Sequence, residues 1–286
     1  MIRKLFCIFF VLYLLCLSGC QYTKEDINKK NITQKGKLTL KSMKSQNGDC
    51  YLIKEDNCNI VINCSQKENI KDTVEFLKNQ NAQKINYLIL TDFSKDNLGG
   101  ASVILRKLDV KNIVEPSYIP KNSEIYKTYK ETLKFKNITP LSVKNDETIS
   151  IGNITLDFFG CDNSYYKNDP QNCSLVFKIT HFENCFLFLG NIKEERLSYI
   201  TENTEKNIRA DFIKIPGKTK YNKTLKTFIK KSNPSYCYIT CSQNEPANYE
   251  TRNFLRKKNM ELYLSFENDY TFVSNGVLLT LKKGIN

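Results

Sequence analysis

The chain has 286 residues, 41% of them hydrophobic and 26% charged, with a formal net charge of +13. That size and apolar content exclude a disordered segment or a small disulfide-stapled scaffold, and leave room for one large domain or two small ones. The lysines are spread evenly, with no Arg/Lys stripe interleaved with aromatics, which favours a solvated surface facing an anionic wall and membrane over a nucleic-acid interface.

The sequence opens with the three parts of an export signal: cations at Arg3 and Lys4, an apolar run from Leu5 to Leu17, then Leu17-Ser18-Gly19-Cys20. The cations hold the cytoplasmic side, the apolar run enters the bilayer, and small Ser18 and Gly19 let a peptidase reach the bond before Cys20. A spanning helix needs about 20 apolar residues, more than this run supplies; an ordinary cleaved signal peptide is the competing assignment. The pattern predicts a lipoprotein, with residues 1–19 as signal and a lipid on the Cys20 thiol. Its membrane partner is reached through that lipid, and its location is the outer face of the bacterial cytoplasmic membrane. Residues 20–36 comprise the lipidated cysteine and a polar tether, because 21–36 have almost no apolar content and no periodicity. Residues 37–286 form the domain. Removal of Arg3 and Lys4 lowers the net charge from +13 to +11.

Of the eleven cysteines, Cys7 and Cys16 leave with the signal. Those of the domain are spaced neither as a disulfide framework nor as CxxC metal ligands. Several fall on strands, where Cys acts as a small apolar residue, so buried thiols are expected. Cys50 and Cys64, able to face each other across a hairpin, are the pair open to a disulfide.

Short apolar and period-two runs predict strands at 38–43, 50–53 and 60–62, a meander with Glu55-Asp56-Asn57 as its second turn. Helical spacing at Ile70, Val74 and Leu77 precedes an apolar strand at 85–90, a loop and a helix at 99–108. A strand at 113–114 and a helix at 126–135 follow. Strands at 148–151 and 154–159 begin a second sheet, with a hairpin at 175–179 and 185–189. A helix at 194–200, a strand at 212–215, a helix at 223–231, a strand at 236–240 and a helix at 249–258 come next. Strands at 262–264, 270–273 and 277–281 end the pattern. Two halves, each mixing strands with covering helices, predict a four-layer αββα sandwich.

The order of several short motifs resembles one family. Gly48-Asp49-Cys50-Tyr51-Leu52-Ile53, Ile62-Asn63 and the stretch Ile85 to Gly100, INYLILTDFSKDNLGG, are followed by Asn172-Cys173-Ser174-Leu175-Val176. Phe186-Leu187-Phe188-Leu189-Gly190-Asn191 and Ala210-Asp211-Phe212-Ile213-Lys214-Ile215-Pro216 complete the series. Over about residues 37 to 281 this order is similar to the metallo-β-lactamase fold, and within it to the extracellular domain of the competence protein ComEC and its free-standing relatives. The resemblance implies a two-metal hydrolase of the phosphodiesterase or nuclease class, whose ions are held by a TH-x-H-x-DH loop, a bridging aspartate and later histidines.

Those ligand positions fall here on Asp92, Ser94, Asp96 and Asn97 in the metal loop and on Asn191 for the bridging aspartate. Gly217-Lys218 takes the place of a His-His pair, and Glu245-Pro246 that of a His-Pro. Only Asp96 keeps the family residue. The single histidine of the chain, His181, is expected in a turn between strands, satisfied or solvated rather than ligating. Lys95 and Lys218 are expected to point ammonium groups toward the space the metals would fill. The prediction is therefore a monomeric, non-catalytic surface module with no cofactor, least of all zinc, that binds a cell-surface or wall ligand. Two alternatives stay open. Asp92, Asp96, Asn191 and Glu245 form an all-oxygen set suited to Mg²⁺, Mn²⁺ or Ca²⁺, serving a phosphodiesterase or nuclease with Asp96 in the catalytic role. The other is a DNA-binding accessory protein.

Overall fold

In this computed structural model, residues 35–203, 207–258 and 260–282 are described; Cys20, the export signal and the tether up to residue 34 lie outside the described residues. From Lys35 onward the chain forms one compact unit.

The first sheet opens with an antiparallel meander of β1 (Leu38–Ser42), β2 (Tyr51–Glu55) and β3 (Cys58–Ile62). Beyond it the crossovers are helical, so the strands become parallel. Helix α1 (Ile70–Asn79) leads to β4 (Lys84–Ile89), short α2 (Lys95–Leu98) and α3 (Ala101–Lys107) to β5 (Asp109–Pro116), and α4 (Glu124–Lys136) to β6 (Leu141–Val143). The second sheet repeats the plan. Antiparallel β7 (Glu147–Ile151), β8 (Ile154–Phe159), β9 (Val176–His181) and β10 (Asn184–Phe188) give way to a parallel half. There α5 (Glu194–Asn203), α6 (Lys223–Ser232) and α7 (Tyr249–Lys257) alternate with β11 (Phe212–Ile215), β12 (Tyr236–Ile239) and β13 (Glu261–Leu264). The last hairpin, β14 (Tyr270–Ser274) and β15 (Leu279–Lys282), does not extend the second sheet; it returns to the first and pairs beside β1. The eight-stranded order is β15-β14-β1-β2-β3-β4-β5-β6 and the seven-stranded order β13-β12-β11-β10-β9-β8-β7. The strand β6 had no signature in the sequence, since its three residues are mostly exposed.

Strand alternation assigns each side chain to a layer. Tyr51 and Ile53, Ile60 and Ile62, Ile154, Leu156 and Phe158, and Phe186 and Phe188 fill the space between the sheets. Their neighbours Leu52, Val61, Phe159 and Leu187 face the covering helices on either side. The result is the αββα sandwich, with an outer core under each helical layer and a central core rich in aromatics, among them the stacked pair Phe177 and Phe188 at 5.1 Å. Helices start and stop where local chemistry dictates. Ser123, Asn222 and Asn248 side chains accept the N–H of Tyr126, Leu225 and Thr251, while Asn137 and Asn233 end α4 and α6 in the left-handed conformation.

The sandwich has two poles. β1 pairs Leu38 with Glu55 and Ser274 at one end, and Ser42 with Tyr51 and Tyr270 at the other. The described chain enters at the Leu38 pole, where the Lys35 N–H donates to the Asn275 carbonyl at 3.1 Å and the Lys35 ammonium meets Glu183 at 2.5 Å. His181 belongs to this same pole. It is not in a turn but ends β9, fully buried, with Nδ1 2.7 Å from the Ser274 hydroxyl and Nε2 3.4 Å from Glu55 Oε1. Strand β9 runs two residues further than its apolar run because Ile154 and Asn184 still pair with His181 on either side.

Candidate functional site

At the opposite pole the loops after β1, β4, β10, β11 and β12 surround a cleft of about 400 Å³. Ser94, Asp96, Asn97, Asn191, Gly217, Lys218 and Glu245 line it together. Residues separated by up to 151 positions in sequence, from Ser94 to Glu245, are thus brought to one place by the two sheets. Asp92 is the exception. Its carboxylate is buried and turned into its own loop, where Oδ1 accepts the Ser94 N–H at 2.9 Å and Oδ2 accepts the Asn97 amide at 2.7 Å. The expected oxygen set of Asp92, Asp96, Asn191 and Glu245 is therefore incomplete in the cleft. Asp96 accepts from the Gln66 amide, and Glu245 donates its own N–H to the Ser242 hydroxyl at 2.8 Å.

Of the two lysines expected to point at the metal space, Lys218 lines the cleft and Lys95 does not; Lys95 is exposed on α2. The cation that dominates the floor is a third one, Lys214. Alternation along β11 explains it. Ile213 and Ile215 face the helices, Phe212 faces the central core, and Lys214 must share the face of Phe212. There its ammonium meets Asp49 Oδ2 at 2.7 Å and donates to the Gly190 carbonyl at 3.1 Å. Asp49 Oδ1 accepts from the Tyr51 hydroxyl at 3.0 Å and from the Thr240 hydroxyl. Asp49 and Lys214 are 4% and 5% exposed, so each needs the other: stranding one charge at such a site costs about 3–5 kcal/mol. The sequence did carry a signal for this pair, a lysine within the apolar strand Phe212-Ile213-Lys214-Ile215.

Two glycines let the loops close on this floor. Gly48 has φ +83°, and a side chain there would place its Cβ 2.3 Å from the Asp96 carbonyl. At Gly217 a Cβ would lie 2.1 Å from the Thr240 carbonyl. Glycine is the residue that permits such backbone approach.

A dinuclear metal centre needs several imidazole and carboxylate donors converging on open coordination positions. The cleft residues do not fit that requirement. Its one histidine-free donor set leaves Asp49 saturated by Lys214, Tyr51 and Thr240, Asp92 turned away, and a fixed ammonium on the floor. Among the described residues no group of three or more His, Cys, Asp or Glu side chains is placed to hold a metal ion.

No family model and no curated protein matches the sequence. Solved structures do. The metallo-β-lactamase fold protein YhfI from Bacillus subtilis aligns with a TM-score of 0.55 and 9% identity, over 83% of this chain and 100% of that one. CmlA, a diiron β-hydroxylase from Streptomyces venezuelae, aligns with a TM-score of 0.53 and 13% identity, over 82% of this chain. The chain spans about half the length of CmlA, 53%. The architecture and these likenesses define the class: the protein has the metallo-β-lactamase fold.

Proposed function

We propose that this protein is an exported, lipid-anchored lipoprotein whose metallo-β-lactamase-fold domain is a non-catalytic binding module at the bacterial cell surface. The observation that carries it is the inward turn of Asp92, whose carboxylate accepts from the Ser94 N–H and the Asn97 amide and leaves the oxygen set of the cleft incomplete. What the cleft retains suits recognition: amides and hydroxyls from Asn97, Asn191, Ser94 and Ser242 beside the mobile-stemmed cations Lys218 and Lys220. The cleft opens at the pole away from Lys35.

Two measurements test this. Palmitate labelling of the full chain is expected and should vanish in Cys20→Ala; unchanged labelling would overturn the lipid anchor. The purified full chain should carry no stoichiometric Zn, Mn or Fe after dialysis. Stoichiometric metal, or hydrolysis of a bis-aryl phosphate or single-stranded DNA that is lost in Asp96→Asn, would replace this reading with the ComEC-like phosphodiesterase.

A further inference from the structure

Beside the cleft, the irregular segment between β8 and β9 folds into a loop whose two ends carry Cys161 and Cys173. The structure holds both as thiols, and both are buried, at 5% and 2% exposure. They are brought together by more than chance proximity in the core. The Cys161 Sγ donates to the carbonyl of Asn172 at 3.6 Å, the peptide unit that leads directly into Cys173. The Cys173 end is itself pinned: its N–H donates to Asp169 at 2.9 Å, and the Asn172 side chain bridges the Glu195 carboxylate and the Lys193 N–H at the start of α5. The Cys161 end is fixed by its own N–H to the Lys144 carbonyl at 3.0 Å.

We propose that Cys161 and Cys173 are the site of a disulfide that closes this loop. The oxidant is an oxidised dithiol, the class of reagent that introduces disulfides outside the cytoplasm. One cysteine thiolate attacks the oxidant's S–S bond, forming a mixed disulfide and releasing one oxidant thiol. The other cysteine then attacks the mixed disulfide, forming the Cys161–Cys173 bond and releasing the second. The two cysteines lose two protons and two electrons, and the oxidant gains both as a pair of thiols. Burial raises both thiols, with Cys173 pushed up to about 12. In the folded protein they are poor nucleophiles, so the bond forms during folding and is then shielded.

The loop it closes has a use. Tyr165, Tyr166, Asp169, Pro170 and Asn172 form one wall of a cavity of about 620 Å³. Tyr166 is held at its back by Arg196, whose guanidinium lies over the ring at 5.5 Å and donates to the Phe159 carbonyl at 3.2 Å. Pinning both ends of the loop would fix the two tyrosines as a preformed surface, at no ordering cost when a ligand arrives.

The test uses the full chain in detergent, refolded from denaturant in oxidised and reduced glutathione, alkylated and mapped by peptide mass spectrometry. One cross-linked peptide pair joining Cys161 to Cys173 is expected, with an intact mass about 2 Da below the reduced chain, since two hydrogens leave. Its melting temperature should exceed that of the reduced chain by about 5 °C or more. Alkylation of both cysteines to completion, or a cross-link joining either of them to a different cysteine, would overturn the proposal. The oxidising surroundings in the cell rest on the export proposed above, and the two parts separate. A chain that oxidises in the glutathione couple but is fully reduced when isolated from cells supports the site and overturns export.

Discussion

The Lys214 ammonium and the Asp49 carboxylate lie 2.7 Å apart on the floor of the cleft, one from β11 of the second sheet and one from the loop that leads into β2 of the first. The pair ties the two sheets together at the pole where they would otherwise part. Removing Lys214 leaves Asp49 with only the Tyr51 and Thr240 hydroxyls. Lys214→Met should therefore destabilise the fold by about 3–5 kcal/mol. Lys214→Met combined with Asp49→Leu should recover a large part of that loss, because no charge is stranded. Urea denaturation of the wild type, both single variants and the double variant measures the coupling; strict additivity would contradict the ion pair.

Asp92 and Asp96 stand four residues apart with opposite roles. Asp92 holds the loop by accepting from the Ser94 N–H and the Asn97 amide, whereas Asp96 borders the cleft. Asp92→Ala should cost about 1–3 kcal/mol, the penalty for leaving buried donors unmatched, and Asp96→Ala less than about 1 kcal/mol. Thermal unfolding of the two variants side by side checks the order, which would invert if Asp96 anchored a structural ion.

Gly48 combines a left-handed backbone with direct apposition to the Asp96 carbonyl. Gly48→Ala is expected to destabilise by at least about 1–3 kcal/mol and to move the Ser94–Leu98 segment away from the cleft. Hydrogen exchange of the amides of residues 94–98 reports that movement; unchanged protection there would mean the contact does not fix the loop.

His181 links stability to pH from the other pole. Burial holds its imidazole below the usual histidine value, against the opposing pull of Glu55 and then Asp56. The folded state thus binds the proton less readily than the unfolded chain, so the neutral ring's stabilisation is fully present above about pH 6.5 and is lost as pH falls through the lowered folded value. Denaturation midpoints should drop between pH 7.5 and pH 5, and the drop should be shallower in His181→Gln. Equal slopes for the two proteins would show that other groups carry the dependence.

Much of this protein was legible in its residues. Alternation in Tyr51 to Ile53, Ile154 to Phe158 and Phe186 to Phe188 is local, so it revealed the strands and the buried faces before any tertiary information. The motifs around Gly48, Gly99 and Gly190 could be read in order along the chain, and at each of them a Cβ would meet backbone at under 3 Å, which only glycine avoids. The positions singled out from that order include Ser94, Asp96, Asn97, Asn191, Gly217, Lys218 and Glu245, which the tertiary structure gathers in one cleft. The sequence by itself thus determined the sandwich and limited the imidazole donors to one histidine.

Only the tertiary structure decided which charges meet. Whether Asp92 faces the cleft or its own loop depends on Asn97 and Ser94 closing around it, and whether Lys95, Lys218 or Lys214 reaches the floor depends on strand register across two sheets. The residues around His181 read as a turn because β9 leaves its apolar run before it ends, and only the pairing of His181 with Ile154 and Asn184 extends the strand. The final hairpin rejoins β1 through hydrogen bonds between residues more than 200 positions apart. Such contacts leave no local periodicity, because their free energy depends on partners that the neighbouring sequence does not specify.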